Sequence, residues 1–511
     1  MISKGRASVV NNALIATAGT YGETVLALVA SAIIARSLGP SDFGIYTYVI
    51  FVSGWMIRLS NISLPTTVIR FVAESRGNGK LDVSERVAGI LLRRQTINSV
   101  VVCLAFLALM QFYVPEALTG QSGLVFIAIC VAVFFKARYV FFVSIAKGYE
   151  RFDVESIALI AVGVLTILMS ALVALLQPNL SNFVIVYMGS SYFLLSVTWI
   201  LLKRSAIGYY YGKVDSNYLK RIHSYRRQAV LLGLVALLGG HMIEMFLLGQ
   251  YATTAQVGYF GLSIALTRGL RELCTAGLTT ILMPRMAHAF GASDMRGVQR
   301  IFLESTRYYI FFGIGLGLSG YVIAEPLIRI IYGNEFLEAT WVLSSLLLIS
   351  GYGMAVAAVG AYLSTTDRQD LRVKFSVSVL IVQILLAVTL VPAYGLLGAV
   401  LSSAISGLFG AVLGFQWVVR HLGATIPYRV YLKLLFSGLL ALGVAMLIAK
   451  ATEYLLLDIL AAIIFAVVYL VVSIKAGCWG KADLDLVKHL IGLLPGGIAD
   501  SMLGLLARFG R

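Results

Sequence analysis

Fourteen long apolar runs, separated by short breaks rich in charge or turn-forming residues, leave this chain few ways to fold. They fall at about 10–35, 43–64, 88–112, 120–146, 155–176, 182–202, 228–250, 256–282, 304–324, 339–364, 373–391, 395–419, 430–449 and 455–475. Each is close to the roughly 20 residues that a helix needs to cross a bilayer. Only 13% of the 511 residues are charged, against roughly 25% in an ordinary soluble domain. A soluble fold would lack the polar surface to cover itself. At 59% apolar and 11% aromatic the chain is equally far from the composition of disorder. The expected class is therefore all-α and polytopic, with every backbone amide satisfied inside its own helix.

The net charge of +16 follows from 40 Lys and Arg against 24 Asp and Glu. Giving the N-terminus and every even-numbered exit to the cytoplasm collects 32 of those 40 in cytoplasmic segments, leaves 3 outside and places 5 within spans. That asymmetry predicts both termini in the cytoplasm. It also accounts for the basic balance without nucleic acid, for which no long basic stretch or soluble domain is available. The connection 203–227 holds seven of the cations and is expected on the inner face. The tail, 477–511, mixes Leu484, Leu486, Val487, Leu490 and Ile491 with charges and reads as an amphipathic helix on that face. Lys4 and Arg6 precede a first run that reads as a retained span rather than a removed leader.

Four short matches recur in order. Leu38-Gly39 to Phe43-Gly44-Ile45-Tyr46 echoes Leu248-Gly249 to Val257-Gly258-Tyr259-Phe260, and Leu64 to Arg70 echoes Leu278 to Arg285. Glu150 to Asp153 echoes Asp367 to Asp370, and Trp199 to Lys203 echoes Trp417 to Arg420. The near-constant offset predicts a duplication of six spans, with spans 13 and 14 appended. Six is even, so the halves would enter from one side and be related by an axis along the membrane normal. The expected organisation is 1–204 as one six-helix bundle, 205–227 as a cytoplasmic linker, 228–420 as the second bundle, 430–476 as two further spans and 477–511 as the tail.

The chain has no GxxxxGK[ST] loop and no HExxH, and its four cysteines, Cys103, Cys130, Cys274 and Cys478, include no CxxC pair. ATP-driven transport, a zinc site, a disulfide framework and a bound cofactor are all unexpected. Gly313, Gly315, Gly317 and Gly320 predict either close helix packing or a hinge in span nine. The chemistry is expected in the charges that lie away from span ends, because a charge inside the bilayer needs a partner or a watery cavity. The cations are Arg58, Lys136, Arg138, Arg268 and Arg271, and the anions are Glu23, Glu244 and Glu272.

Five cations against three anions leave a positive surplus suited to an anionic ligand such as a diphosphate, so the cations are the substrate-binding candidates. Arg268 and Glu272, four apart, are also placed to pair with each other. Lys136 and Arg138 lie about 200° apart around a helix and cannot face one spot; Arg138 could instead snorkel to the inner interface. The three glutamates are the ion-coupling candidates. Glu23 among small residues is the first of them, with a static pair to Arg58 as its competing role, and Glu244 near the outer end of span seven is the next. His241, one turn from Glu244, is a further proton-relay candidate.

Arg36-Ser-Leu-Gly-Pro-Ser-Asp-Phe-Gly-Ile-Tyr46 resembles the signature after the first span of polysaccharide-transport flippases of the multidrug/oligosaccharidyl-lipid/polysaccharide (MOP) exporter superfamily. Ala324-Glu-Pro-Leu-Ile-Arg-Ile-Ile-Tyr-Gly-Asn-Glu-Phe336 resembles their signature between spans nine and ten, and Lys481-Ala-Asp-Leu-Asp-Leu-Val-Lys488 their C-terminal helix. The resemblance covers essentially the whole chain. It implies a V-shaped, fourteen-helix fold in a bacterial cytoplasmic membrane and the flipping of an undecaprenyl-diphosphate-linked oligosaccharide, for O-antigen, capsule or exopolysaccharide. Alternating access of the halves, coupled to an ion gradient, is the mechanism it implies. The partners it implies are the lipid-linked oligosaccharide and the bilayer, with a glycan polymerase or export complex as a third. A lipid II flippase shares the same plan and stays open. A cation-coupled drug exporter would want acidic rather than basic charge. A membrane glycan polymerase would want a long outer loop, and no such loop is present.

Overall fold

The computed structural model describes residues 2–212, 214–366, 368–422, 427–449, 455–480 and 483. Among them there are α-helices, two short 3-10 turns and no strand. The helices are α1 (Ile2–Ser60), α2 (Leu64–Gly77), α3 (Leu81–Phe112), α4 (Gly123–Gly148), α5 (Asp153–Leu176), α6 (Leu180–Arg204) and α7 (Ser216–Leu238). They continue as α8 (Met242–Tyr251), α9 (Thr254–Gly291), α10 (Met295–Ile331), α11 (Thr340–Thr365), α12 (Gln369–Leu422), α13 (Tyr428–Ala449) and α14 (Leu455–Lys475). Apart from Asp483, the predicted tail beyond residue 480 lies outside the described residues, as does Asp367 of the repeat motif.

These fourteen helices are not the fourteen predicted spans one for one. Spans 1 and 2 both fall in α1, which breaks at Gly39 (φ 71°, ψ 173°) with Pro40 behind it. Spans 11 and 12 both fall in α12, which breaks at Gly395 (φ 55°, ψ −126°) just after Pro392. Glycine alone adopts such positive φ freely, and proline cannot continue the hydrogen-bond ladder. The predicted span 228–250 comes in two pieces, because α7 stops at Gly239 and Gly240 takes a φ of 74° before α8 begins. The helix α2 is not one of the predicted spans. Its buried Leu64, Thr67, Val68, Phe71, Val72 and Ser75 recur every three or four residues, which makes one packed face.

Ten helices among the described residues are long and apolar enough to cross a membrane. Their surfaces show what solvent they are built for. Only 11% of the apolar window of α5 is buried, and Leu168, Leu172 and Leu175 stand exposed. Such a surface is stable only against lipid chains. The chain is a multi-pass membrane protein.

Two compact units form. The first comprises residues 1–266, 331–336 and 380–402. Its largest apolar cluster joins Leu64, Phe71 and Val72 of α2 to Leu91 and Leu92 of α3 and Phe141, Phe142 and Ile145 of α4. The two outer signature motifs meet in this unit. Phe43 packs edge-on against Phe336, with ring centroids 5.6 Å apart, and lies beside Tyr332. Arg36 Nε donates to the Ile331 carbonyl at 3.0 Å. Gly44 lies so close to α9 that a Cβ there would sit 1.7 Å from the Thr254 carbonyl oxygen. Gly258, the residue that the internal match pairs with Gly44, packs directly against it.

The second unit comprises residues 267–330, 337–379 and 403–511. The glycine run of α10 serves close packing: a Cβ on Gly313 would lie 2.2 Å from the Gly351 carbonyl, and Gly317 and Gly320 approach Leu348 and Leu347 of α11. Phe311 stacks on Tyr469 of α14 at 4.7 Å, and Leu318 and Val322 pack with Ala441, Ala445 and Phe465. At the inner end Arg307 donates to Asp483 Oδ2 at 2.6 Å, and Tyr308 donates to the other oxygen of the same carboxylate. The four cysteines are free thiols, two buried and two half-buried.

Candidate functional site

Four of the eight predicted charges lie on α1 and α4 of the first unit. Arg58 stands two residues before the end of α1 and is exposed, as is Glu23 on the same helix. Glu23 and Glu155 both act electrostatically on the Tyr139 hydroxyl. Lys136 and Arg138 are half-buried on α4, and they diverge as helical geometry requires. The Lys136 ammonium rests 5.1 Å from the centre of the Tyr187 ring. Tyr187 in turn lies within electrostatic reach of Tyr46, the last residue of the first signature motif. Arg138 sits near the rings of Phe134 and Phe142, at 5.7 and 5.9 Å. It lines an open cavity of about 250 Å³ with Leu195, Ser196, Trp199 and Tyr209. An ammonium or guanidinium over an aromatic face keeps its charge available to a ligand while gaining a weak stabilisation.

The fifth residue in this unit, Glu244, is the one whose surroundings the sequence left least visible. It belongs to the short helix α8 and is completely buried, rather than lying at an interface. Gln383 Nε2 donates to both carboxylate oxygens, at 2.9 and 3.0 Å, and also to the Gly240 carbonyl. Ser402 Oγ donates to the same carboxylate at 3.4 Å. Gln383 and Ser402 come from the two sides of the α12 break, so the break at Gly395 brings two polar side chains to one carboxylate. Both escaped a scan for charges. Their signal was polarity inside an apolar run, as in Ile381-Val-Gln383-Ile. His241 presents its ring to Phe260 at 5.8 Å.

Burying a carboxylate costs several kcal/mol unless hydrogen bonds and a counter-charge offset it. An amide and a hydroxyl supply the hydrogen bonds. A proton or a small cation arriving at these oxygens would supply the charge, so the cluster has the composition of an ion site.

In the second unit, Arg268, Arg271 and Glu272 follow one another along α9. Arg268 Nε donates to Glu272 Oε1 at 2.9 Å, with the arginine side chain 69% exposed. Such a pair is worth little in stability where water reaches it. Arg271 is exposed one turn from Arg268. Among the described residues no group of three or more His, Cys, Asp and Glu is placed to hold a metal ion.

Comparison with known proteins adds three findings. The profile of a family described as polysaccharide biosynthesis protein matches residues 33–341. The capsular polysaccharide biosynthesis protein CapF of Staphylococcus aureus is 20% identical over 407 residues, covering 76% of this chain and 94% of that protein. Among solved structures, the lipid II flippase MurJ in an inward closed conformation superposes with a TM-score of 0.73 at 14% identity, covering 90% of this chain and 98% of that one. An inward-facing multidrug resistance MATE family transporter of the MOP superfamily gives a TM-score of 0.61, also at 14% identity, covering 78% of this chain and 94% of that one. At these identities the structural likeness is one of fold.

Proposed function

The chain belongs to the polysaccharide biosynthesis protein family, and on that premise we propose that it is a flippase for an undecaprenyl-diphosphate-linked oligosaccharide. It carries that lipid from the cytoplasmic to the outer leaflet of a bacterial cytoplasmic membrane, in the assembly of a surface polysaccharide. Fourteen spans do the work, as two six-helix repeats (1–204 and 228–420) joined by the linker 205–227, with two further spans at 430–476 and both termini in the cytoplasm. The repeats alternate in opening to either side. The outgoing lipid-linked product goes to a glycan polymerase or export complex.

One observation carries this reading: the surplus of cations over anions within the membrane segments. The Arg268–Glu272 pair cancels one charge of each sign, and Glu244 is held by an amide and a hydroxyl. Arg58, Lys136, Arg138 and Arg271 therefore outnumber the acids available to them. Such an excess is costly in hydrocarbon and is repaid when a diphosphate arrives. A guanidinium offers that ligand a planar fork of donors. The surplus disfavours a cationic drug as cargo.

The three acids supply the ion coupling, with Glu244 the best placed because its carboxylate is fully buried among oxygen and amide groups. Glu23 and Glu272 remain the other two candidates. A lipid II flippase is the second reading. It is favoured by the likeness of fold to a protein of that description, and it would use the same cations on the same diphosphate.

The test is export of the glycan in cells that carry Arg58→Ala and Arg271→Ala, singly and together. The double variant should reach the membrane and fail to export, and lysine at either position should be milder. Full export by the double variant would sink the proposal. Transport assays with purified polyprenyl-diphosphate trisaccharide and with lipid II then separate the two cargoes.

A further inference from the structure

Most of the cations at the inner face already have partners. Arg221 holds Glu74 through two hydrogen bonds, at 2.6 and 3.1 Å. Arg70 lies flat on the Tyr225 ring at 4.4 Å, and Arg76 on Tyr149 at 4.5 Å. Arg94 and Arg226 are different. Among the described residues neither forms an ion pair, and the Nη1 of Arg226 is buried with no hydrogen-bond partner.

Two helix faces bring these residues to one place. On α3, Arg94 and Asn98 are four apart and share a face, and Asn98 Nδ2 reaches the Ser60 carbonyl at 3.4 Å. On α7, Arg226 lies two turns before Gly233 on the same face. Gly233 approaches the end of α1 so closely that a Cβ would sit 3.1 Å from Ile62 and 3.9 Å from the Ser63 nitrogen. Both arginines therefore flank the turn Ser60–Ser63, where α1 ends and α2 begins. Ser63 is 8% exposed, and its hydroxyl also has no partner.

The electrostatics agree. Burial and the nearby Arg94 push the Arg226 guanidinium below its usual range. Burial, then Arg226 and Arg94, does the same to His223 one turn earlier. Two like charges are held together beside an idle buried donor and an idle hydroxyl, and only an anion satisfies all of them at once. Arg226 lies two residues before the predicted span 228–250, at the depth of lipid headgroups in the inner leaflet.

We propose that Arg94, Arg226 and Ser63 form a receiving site for the diphosphate of the polyprenyl-linked substrate at the inner membrane surface, distinct from the cations deeper in the spans. It rests on the flippase reading for the identity of the lipid. The site captures the diphosphate at headgroup depth, before the glycan enters the spans.

The test uses the full chain in nanodiscs of phosphatidylcholine, with inorganic diphosphate and farnesyl diphosphate as probes. Paired Arg94→Gln and Arg226→Gln should weaken both probes tenfold or more, while Arg227→Gln on the exposed side of α7 should change them less than twofold. Diphosphate should raise the melting temperature of the wild type and leave that of the double variant unmoved, which separates lost binding from lost folding. Unchanged binding in the double variant overturns the site. Loss of probe binding when phosphatidylglycerol replaces part of the phosphatidylcholine overturns it too, because the site would then serve a membrane phospholipid. If the wild type binds diphosphate here and moves no lipid-linked oligosaccharide, the flippase reading fails and the anion site stands. If the wild type transports and the double variant does so with the same KM, the site fails and the flippase reading stands.

Discussion

Replacing Gly44 by alanine tests how the first signature motif works. The new methyl would lie 1.7 Å from the Thr254 carbonyl oxygen, 2.5 Å from its carbon and 3.2 Å from the Gly258 nitrogen. These are backbone atoms, so no rotamer change makes room. To reach even a 3.0 Å contact, α1 and α9 must separate by roughly 1.3 Å, and a gap of that size forfeits about half of the dispersion energy along the seam. It would also stretch the 2.8 Å Ser41–Thr254 hydrogen bond beyond use. Overpacking of this kind costs about 1–3 kcal/mol, and the hydrogen bond about 1 more. The two neighbours of the same kind supply the scale. At Gly258 a Cβ would meet Gly44 Cα and the Pro40 carbonyl at 3.1 Å, a strain that small shifts relieve. At Gly54 nothing lies within 4 Å, so alanine there should gain up to ~1 kcal/mol from helix propensity alone. The assay is the melting of detergent-solubilised protein followed by size-exclusion chromatography. The expected order of stability is Gly54→Ala at or above the wild type, then Gly258→Ala, then Gly44→Ala well below. A Gly44→Ala protein that melts with the wild type, or above Gly258→Ala, refutes the claim that the motif is a close-contact seam.

Three further outcomes are expected. Gln383→Ala removes the donor that holds the buried Glu244 carboxylate and should cost ~1–3 kcal/mol; Glu244→Gln should fold as well as the wild type and lose only the dependence of transport on an imposed proton or sodium gradient, measured in proteoliposomes. Alkaline phosphatase fused after Gly120 should be active and after Gly212 inactive; the reverse pattern would overturn the orientation. Arg307→Ala strips Asp483 of its guanidinium and should cost ~1–3 kcal/mol of local stability, seen as faster tryptic cleavage at Lys481; cleavage at the wild-type rate would mean that Asp483 does not hold this segment in place.

What the sequence determined by itself is what depends on solvent and on local backbone. Transfer of apolar side chains into lipid is additive along the chain, so the composition and the runs were enough to make it a membrane protein of helices. Backbone freedom is just as local, which is why the breaks fall at Gly39-Pro40 and after Pro392, between spans already separated on paper. The i,i+4 pair of Arg268 and Glu272 could be seen for the same reason. The gap at Gly239 and Gly240 was less legible, because two glycines in an apolar run read equally well as packing. Glu244 was visible as a charge but not as a buried one. Its partners, Gln383 and Ser402, lie 139 and 158 residues away in sequence, and only helix packing decides that they meet. Arg94 and Arg226 belong to α3 and α7 and likewise converge only because both helices pack against the turn that ends α1. Phe43 against Phe336, and Gly44 against Gly258, turn separate motifs into one seam. Local physics sets which segments are helices and what they dissolve in. The neighbours of each side chain depend on the rotation and register of one helix against another, and those are fixed by close packing over the whole unit.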